Sequence, residues 1–201
     1  MEKNNEYGMV DLGLPSGLKW ADRNVGAESP EAYGDYFAWG ETAPRGENWS
    51  ADTPYDWAHA PFNFDETYFN EHKSEWLTED GTLKPVYDAA HAAMGGSWRM
   101  PTSAEMQELL DGTTQSVEEL NGISGMRFTS KDNGNSIFMP FAGLRHASDV
   151  SLVGNLGGAW SSSLNAGYAY GSHLLGFYNY GIAYVGYDYR FIGFVVRGVH
   201  E

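Results

Sequence analysis

Residues 88–110 read DAAHAAMGGSWRMPTSAEMQELL and hold the clearest local signals in the chain. The alanine-rich run 88–94 ends at Gly95-Gly96, and glycine just past a periodic segment is a common helix stop. Thr102 begins a Thr-x-x-Glu capping box, which is followed by apolar residues at helical spacing. The stretch therefore predicts two short helices, at 88–94 and 103–111, with a tight connection between them.

Short strands and turns are predicted on both sides of these helices. Residues 10–25 are interpreted as strands around a Pro-Ser-Gly turn, and 193–197 alternates like a closing strand. Residues 126–129 and 136–139 flank Asn133-Gly134-Asn135 and are interpreted as a hairpin. The pattern is typical of a compact fold with many turns rather than long helices.

Length and charge limit the classes of function. The chain has 201 residues, which suits one domain spanning 1–201. Its net charge of −15 argues against nucleic acid and anionic membrane as partners, because both attract basic surfaces. The chain contains no cysteine, so disulfides, zinc–thiolate sites and thiol catalysis are excluded. No apolar run is long enough to span a membrane, and the first ten residues lack the apolar core of a signal peptide.

Residues 41–83 differ from the rest of the chain, since they are acidic, rich in aromatic residues and without a sustained period. We interpret them as a long excursion that is packed down by its own aromatic side chains. The side chains expected to be buried there are Trp49, Trp57, Phe62, Phe64, Phe69 and Trp76.

Residues 165–192 have a restricted alphabet. They contain seven tyrosines and five glycines, and they contain no Lys, Glu, Gln, Trp or Met. Tyrosine with Gly, Ser and Asn is the mixture from which binding loops are built. Codons of the form AAY, mutated only at adenines, yield the residue types found here and none of the five missing ones. The composition fits either a surface diversified for binding or a Tyr/Gly-rich antiparallel sheet of the kind common in bacterial surface proteins.

Six motifs occur in a fixed order along the chain. They are VDLGLPSGLKWADRNVGA (10–27), YGDYFAWGE (33–41), DAAHAAMGGSWRMPTSAEMQELL (88–110), NGNSIFMPFAG (133–143), WSSSL (160–164) and RFIGFVVR (190–197). Together they resemble the Fibrobacter major paralogous domain family, which is common in gut Bacteroidetes and related to formylglycine-generating enzymes. The resemblance implies an α+β, C-type-lectin-like fold with two short helices, small antiparallel sheets and neighbouring termini. The reactive cysteine pair of the sulfatase-activating relatives is absent, so that activity is not carried over.

The carboxyl-terminal region is also similar to the variable region of proteins diversified by retroelements, which close on a Gly-Phe-x-Val-Arg type of motif, here 193–197. This resemblance implies that 160–197 is a ligand-binding, hypervariable region. Its scaffold residues would be Leu175, Phe177, Ala183, Val185, Arg190 and Phe194. The residues expected to bind ligand are Tyr168, Tyr170, His173, Gly176, Tyr178, Tyr180, Tyr184, Tyr187, Asp188, Tyr189, Phe191 and Ile192.

Other side chains are given structural roles. The expected core tryptophans are Trp20, Trp39, Trp98 and Trp160, and the expected structural arginines are Arg99 and Arg197.

No catalytic or cofactor motif is found. Ser161–Ser163 lack a Gly-x-Ser-x-Gly elbow, and no two histidines have ligand spacing. The calcium motifs of lectins are absent. The many acidic residues leave a structural calcium ion open, although no Asp-x-Asp-x-Asp spacing supports one.

We therefore expect a non-enzymatic protein without a cofactor, which binds a protein or glycan on a cell surface. It would act at an extracellular surface or on a phage particle. The alternative is a fixed-sequence structural or adhesive surface protein of gut Bacteroidetes.

Overall fold

The computed structural model describes residues 7–201, and the protein is an α+β chain. Within these residues the α-helices are α1 (Trp49–Asp52), α2 (Glu66–Trp76), α3 (Ala89–Met94) and α4 (Ser103–Gly112). The two helices predicted from the sequence are confirmed as α3 and α4. The expectation of only two helices is wrong, because α1 and α2 both lie within the excursion 41–83.

The strands are short and form small sheets. They are β1 (Met9–Asp11), β2 (Lys19–Ala21), β3 (Trp98–Arg99), β4 (Thr113–Leu120), β5 (Ile123–Ser130), β6 (Ser136–Pro140), β7 (Leu144–His146), β8 (Asp149–Ser151), β9 (Leu156–Leu164), β10 (Gly171–Tyr178), β11 (Ala183–Tyr189) and β12 (Val199–His200). The sheet orders are β1-β2-β12-β3, β4-β5-β6, β7-β8 and β9-β10-β11, with antiparallel pairing throughout. Since β12 pairs with β2 and β3, the end of the chain returns to the sheet that contains β1.

The predicted hairpin at 126–139 is confirmed by β5 and β6, whose register pairs Met126 with Met139. The predicted closing strand at 193–197 is wrong. These residues are buried and make single bridges, including Phe37 to Phe194 and Ala159 to Val195, but they form no ladder. The strand that closes the fold is β12.

The sheet β9-β10-β11 separates two apolar clusters. In β10, Leu175 joins the cluster that contains Met106 of α4, whereas its neighbour Leu174 joins the cluster that contains Trp160 and Phe194. Successive side chains of a strand point to opposite faces, so β10 contributes to both cores and is the central strand of this sheet. Of the four expected core tryptophans, Trp20, Trp39 and Trp160 are fully buried and Trp98 is nearly so.

The excursion packs against the second core through α2 and the segment before it. Phe62 stacks on Trp76 at 4.7 Å and meets Trp39 edge-on at 5.8 Å, and Phe69 is fully buried. Trp49, Trp57 and Trp76 are only half-buried. The expected burial of Phe64 is wrong, since its side chain is 56% exposed.

Phe64 is exposed because it directly precedes Asp65, the cap residue of α2, where the chain lies at the molecular surface.

Arg197 and Arg99 both have the structural roles expected of them. Arg197 is fully buried and donates hydrogen bonds to Asn24 Oδ1, the Ala21 carbonyl and the Phe138 carbonyl, each at 2.9 Å. Arg99 forms two 2.8 Å bonds to the Glu105 carboxylate, which ties β3 to the first turn of α4.

No helix among residues 7–201 combines the length and the apolar character needed to cross a membrane. The expectation that the amino terminus carries no signal peptide falls largely on residues 1–6, which lie outside the described residues.

Candidate ligand-binding surface

The β10–β11 hairpin positions most of the expected binding residues. Leu175 pairs with Val185 and Gly176 with Tyr184, and β11 forms the outer edge of the sheet. An edge strand is covered on fewer sides than a central one, so the side chains of β11 can remain exposed while those of β10 fill the cores. At the turn, Gly181 has φ +90° and donates to the Tyr178 carbonyl, a conformation that favours glycine.

Nine of the twelve expected binding residues reach the surface. Four tyrosines are exposed: Tyr180 at 67%, Tyr187 at 59%, Tyr189 at 44% and Tyr184 at 38%. The partly exposed residues are Tyr168, Tyr170, His173, Tyr178 and Asp188. We call the seven tyrosines of this set (Tyr168, Tyr170, Tyr178, Tyr180, Tyr184, Tyr187 and Tyr189) the tyrosine surface.

Gly176, Phe191 and Ile192 are buried and are not part of the exposed surface. Gly176 lies on the central strand beneath Tyr184, and a Cβ there would come within 2.7 Å of the Tyr184 ring. Phe191 is 8% exposed and packs edge-on against Trp57 at 4.8 Å. Ile192 belongs to the second core. These residues support the exposed rings from below.

One group of tyrosines lies at the turn of the hairpin. Tyr178 stacks on Tyr180 at 5.0 Å and on Tyr184 at 6.0 Å, with interplanar angles of 11° and 14°. Burial, together with a hydrogen bond to Tyr178, raises the pKa of Tyr184 above its ordinary value. The phenol therefore stays neutral at physiological pH and can both donate and accept a hydrogen bond.

A second group lies at the other end of the hairpin. Tyr168 lies 5.5 Å from Tyr170, 5.9 Å from Tyr187 and 6.1 Å from Tyr189, all at inclined angles. A hydrogen bond with Tyr189, with a smaller contribution from desolvation, raises the pKa of Tyr168 to about 12. A small open pocket of about 230 Å³ lies among these rings, and it is lined by Tyr168, Tyr187, Asp188 and Tyr189.

Asp188 and His173 add polarity to the hairpin. Burial raises the pKa of the Asp188 carboxyl. Two smaller effects act in the opposite direction: a 2.7 Å hydrogen bond from the Tyr189 amide and the electrostatic interaction with His146. No Lys or Arg among residues 7–201 forms an ion pair with Asp188. The ring of His173 lies 3.1 Å from the Gly186 carbonyl, which fixes its orientation.

The excursion supplies aromatic residues that the sequence analysis did not assign to the site. Trp57 meets the rings of Tyr170 at 5.9 Å and Tyr189 at 6.1 Å, and the exposed Phe64 lies 6.3 Å from Trp57. Only the fold brings residue 57 beside residue 189, so no local pattern could reveal this contact. The aromatic content of the excursion was the one available signal.

Arg190 joins the excursion to the hairpin, in agreement with its expected scaffold role. It is almost fully buried, and it donates to the carbonyls of Ala169 at 2.8 Å and Asn63 at 3.2 Å. Its guanidinium lies 4.0 Å from the centre of the Phe69 ring. Desolvation lowers the pKa of Arg190 to about 10, so the group remains charged at neutral pH.

Ser161 and Asp88 have structural partners. Ser161 donates to the His173 carbonyl, and Asp88 caps α3 while accepting from the Met100 amide. Asp88 and the Arg99–Glu105 pair also line a larger cleft of about 480 Å³ beside α3. Across residues 7–201, no three or more His, Cys, Asp or Glu side chains are grouped so that they could hold a metal ion.

Comparison with known proteins gave no match: no family model, curated protein or solved structure matches this chain.

Proposed function

We propose that this protein is a non-enzymatic binding protein, and that the tyrosine surface contacts a protein or glycan on a cell surface. The observation that carries the proposal is that one hairpin exposes four tyrosines while its intervening side chains fill the cores. Exposed aromatic side chains that stability does not require favour a binding role. Tyrosine contributes ring stacking and a hydroxyl hydrogen bond at low entropic cost.

The fold we propose is C-type-lectin-like and of the formylglycine-generating-enzyme type. Three features support it: the order of the sequence motifs, the several small antiparallel sheets, and the return of β12 to the sheet that contains β1. The two additional helices lie in the excursion, where the sequence motifs leave a gap. They are therefore compatible with a shared scaffold that carries a long insertion.

We also propose that a retroelement diversifies this surface, as the restricted alphabet of 165–192 suggests. Substitution is tolerated best at exposed positions, so variation would be concentrated at the nine residues that reach the surface. Leu174, Gly176, Phe191 and Ile192 have residue types reachable from AAY codons but are buried, so variation there would disturb packing. Display of many copies on a phage particle or a bacterial surface would raise a modest affinity per domain.

The gene tests the diversification proposal. We expect AAY-type codons at the exposed tyrosines, a near-repeat of this segment close by and a reverse transcriptase gene in the neighbourhood. Ordinary tyrosine codons without a nearby repeat would overturn diversification. That result would favour a fixed-sequence structural or adhesive surface protein.

A binding experiment tests the proposed function. The wild-type protein and a Tyr180→Ser/Tyr187→Ser variant would be applied to a glycan array and to intact gut bacterial cells. We expect retention by at least one target and at least a tenfold loss in the variant at unchanged thermal stability. Ser116→Ala, on the distant strand β4, serves as the control. Equal retention of the variant and the wild type would contradict the proposal.

A further inference from the structure

The small pocket of the second tyrosine group is lined mainly by tyrosine side chains. Among residues 7–201, the lining residues are three tyrosines and Asp188, which is the only carboxylic acid of the four. The rings of Tyr187 and Tyr189 both lie about 6 Å from the Tyr168 ring, inclined at 59° and 50°. No Lys, Arg or His among residues 7–201 lines the pocket.

Gly171 does not line the pocket, but a side chain at this position would reach two of the pocket's rings. A Cβ at Gly171 would lie 3.0 Å from Tyr168 Cδ1, 3.3 Å from Tyr187 Cδ2 and 3.2 Å from the Asp188 carbonyl oxygen. The backbone of Gly171 has no positive φ, so its conformation does not demand glycine. A side chain at residue 171 would therefore press against two rings of the pocket and a carbonyl oxygen.

The electrostatics of these walls select a cation. Aromatic faces carry negative quadrupole potential, and rings around a small space are a recurring site for ammonium groups. The Asp188 carbonyl oxygen, which lies 3.2 Å from a Cβ built at Gly171, adds a dipole. The net charge of −15 favours approach of a cation and disfavours an anion such as sulfate or phosphate.

The size of the pocket limits what enters it. Drug-sized ligands occupy pockets of roughly 300–1,000 Å³. At about 230 Å³ and open on one side, this pocket suits a single compact group at the end of a longer molecule.

We propose that the pocket among Tyr168, Tyr187 and Tyr189 binds an ammonium cation, either the trimethylammonium group of a choline-type ligand or a lysine side chain. This inference rests on the proposed binding function and names the chemistry of one contact within it. Tyr187 and Tyr189 supply inclined aromatic walls, and Tyr168 closes the third side. The Trp57 ring of the excursion, 6.1 Å from Tyr189, holds that wall in place.

Titration calorimetry with matched probes tests the proposal. Choline is compared with 3,3-dimethyl-1-butanol, which has the same shape and no charge. We expect choline to bind at least tenfold more tightly. A second pair of probes is Nα-acetyl-lysine methylamide and its neutral Nε-acetylated form. This pair tests whether the pocket binds the ammonium group of a lysine side chain more tightly than that of choline. A preference for the charged member of either pair supports the proposal, and no preference in both pairs overturns it.

Variants locate the binding in the pocket. Tyr187→Leu removes one wall and should weaken choline binding at least tenfold. Tyr68→Leu changes an exposed tyrosine outside the tyrosine surface and should leave choline binding unchanged. Gly171→Ala crowds the rings of Tyr168 and Tyr187 while all three rings remain, and should also weaken binding. If Tyr187→Leu and Gly171→Ala both bind choline as tightly as the wild type, the pocket is not the site.

The outcomes separate this inference from the broader proposal. The serine variant could lose retention on cells or glycans while the wild type shows no preference for choline. That result would contradict the ammonium pocket and support the proposed binding function. If choline binds but retention does not depend on the tyrosines, the ammonium pocket is supported and the proposed function is contradicted.

Discussion

Arg197 is fully buried and forms no ion pair among residues 7–201. Burial lowers the pKa of its guanidinium to about 9, so the group is still charged at neutral pH. Hydrogen bonds offset the cost of burying this charge. The planar guanidinium donates to one amide oxygen and to two backbone carbonyls in separate parts of the chain.

Arg197→Met should lower the free energy of unfolding by about 3 kcal/mol or more, because it leaves the Ala21 and Phe138 carbonyls unpaired in the interior. Urea unfolding measures the change. Arg127→Met is the matched control, since Arg127 pairs with Glu118 at the surface and such pairs contribute about 1 kcal/mol or less. Similar losses in the two variants would contradict the structural role of Arg197.

Asp188 has a pKa raised by burial, and this gives its contribution to stability a definite sign. An acid whose folded-state pKa exceeds its unfolded-state value binds protons more readily in the folded protein. Its ionised form therefore destabilises the fold above the folded-state pKa, and the penalty disappears as pH falls through that value.

Asp188→Asn should therefore be more stable than the wild type at pH 7, with the difference shrinking as pH falls into the acid range. Thermal melts of both proteins from pH 7 to pH 4 measure this, and an unchanged or growing advantage at low pH would refute it. An asparagine oxygen can still accept the bond from the Tyr189 amide, so the comparison isolates the charge. A destabilising carboxylate on the hairpin is consistent with retention for binding.

Among the elements, α2 depends on one side chain. Phe69 is the only buried residue of this eleven-residue helix, and it packs against Phe62, Trp76 and the Arg190 guanidinium. The helix and the Trp57 segment share the second core, so the stability of α2 is linked to one wall of the ligand-binding surface.

Phe69→Ala should destabilise the protein by about 3–5 kcal/mol and loosen the excursion more than the central sheets. Hydrogen exchange should show faster amide exchange in α2 while β5 and β10 remain protected. The exposed neighbour Tyr68→Ala serves as the control and should change exchange little. Uniform loss of protection across the chain would show that the excursion is not a separate unit of stability.

At the scale of the molecule, the sheet β9-β10-β11 lies between two cores and exposes tyrosines along its outer strand. Trp160 lies in the second core, donates to the Phe37 carbonyl at 2.9 Å and meets Phe194 edge-on at 5.1 Å. The stability of the fold therefore resides in the inward side chains, and the tyrosine surface is free to serve another purpose.

Trp160→Ala should lower the free energy of unfolding by about 3–5 kcal/mol, whereas Tyr180→Ala and Tyr187→Ala together should lower it by less than about 2 kcal/mol. Chemical denaturation of both variants gives the comparison. A loss in the double tyrosine variant as large as that of Trp160→Ala would mean that these rings hold the fold, and the binding proposal would fail.

The local signals in the sequence were accurate where a few neighbouring residues decide the structure. The capping box at Thr102 begins α4, and Asn133-Gly134-Asn135 lies in the turn between β5 and β6. The helix α2 was missed because only Phe69 and Trp76, two turns apart, mark its inward face, which is too few residues to establish a period. The strand β4 was missed because TTQSVEEL is largely polar and half exposed.

The candidate site was predicted less completely. Composition identified the exposed tyrosines, but it could not separate Tyr189 from Phe191, which are two residues apart and share the same restricted alphabet. Their difference in burial comes from Trp57, which covers Phe191 at 4.8 Å. That contact links parts of the chain more than 130 residues apart in sequence.

The sequence by itself determined the features that arise from neighbouring residues: the two capped helices, the hairpin turns, the acidic charge and the concentration of tyrosines between 165 and 192. The tertiary structure alone decided which tyrosines face solvent, that an excursion tryptophan borders them, and that three of them surround a small pocket. The physical reason is that turn and cap geometry depends on local backbone preferences, whereas burial depends on which distant segments pack above a side chain.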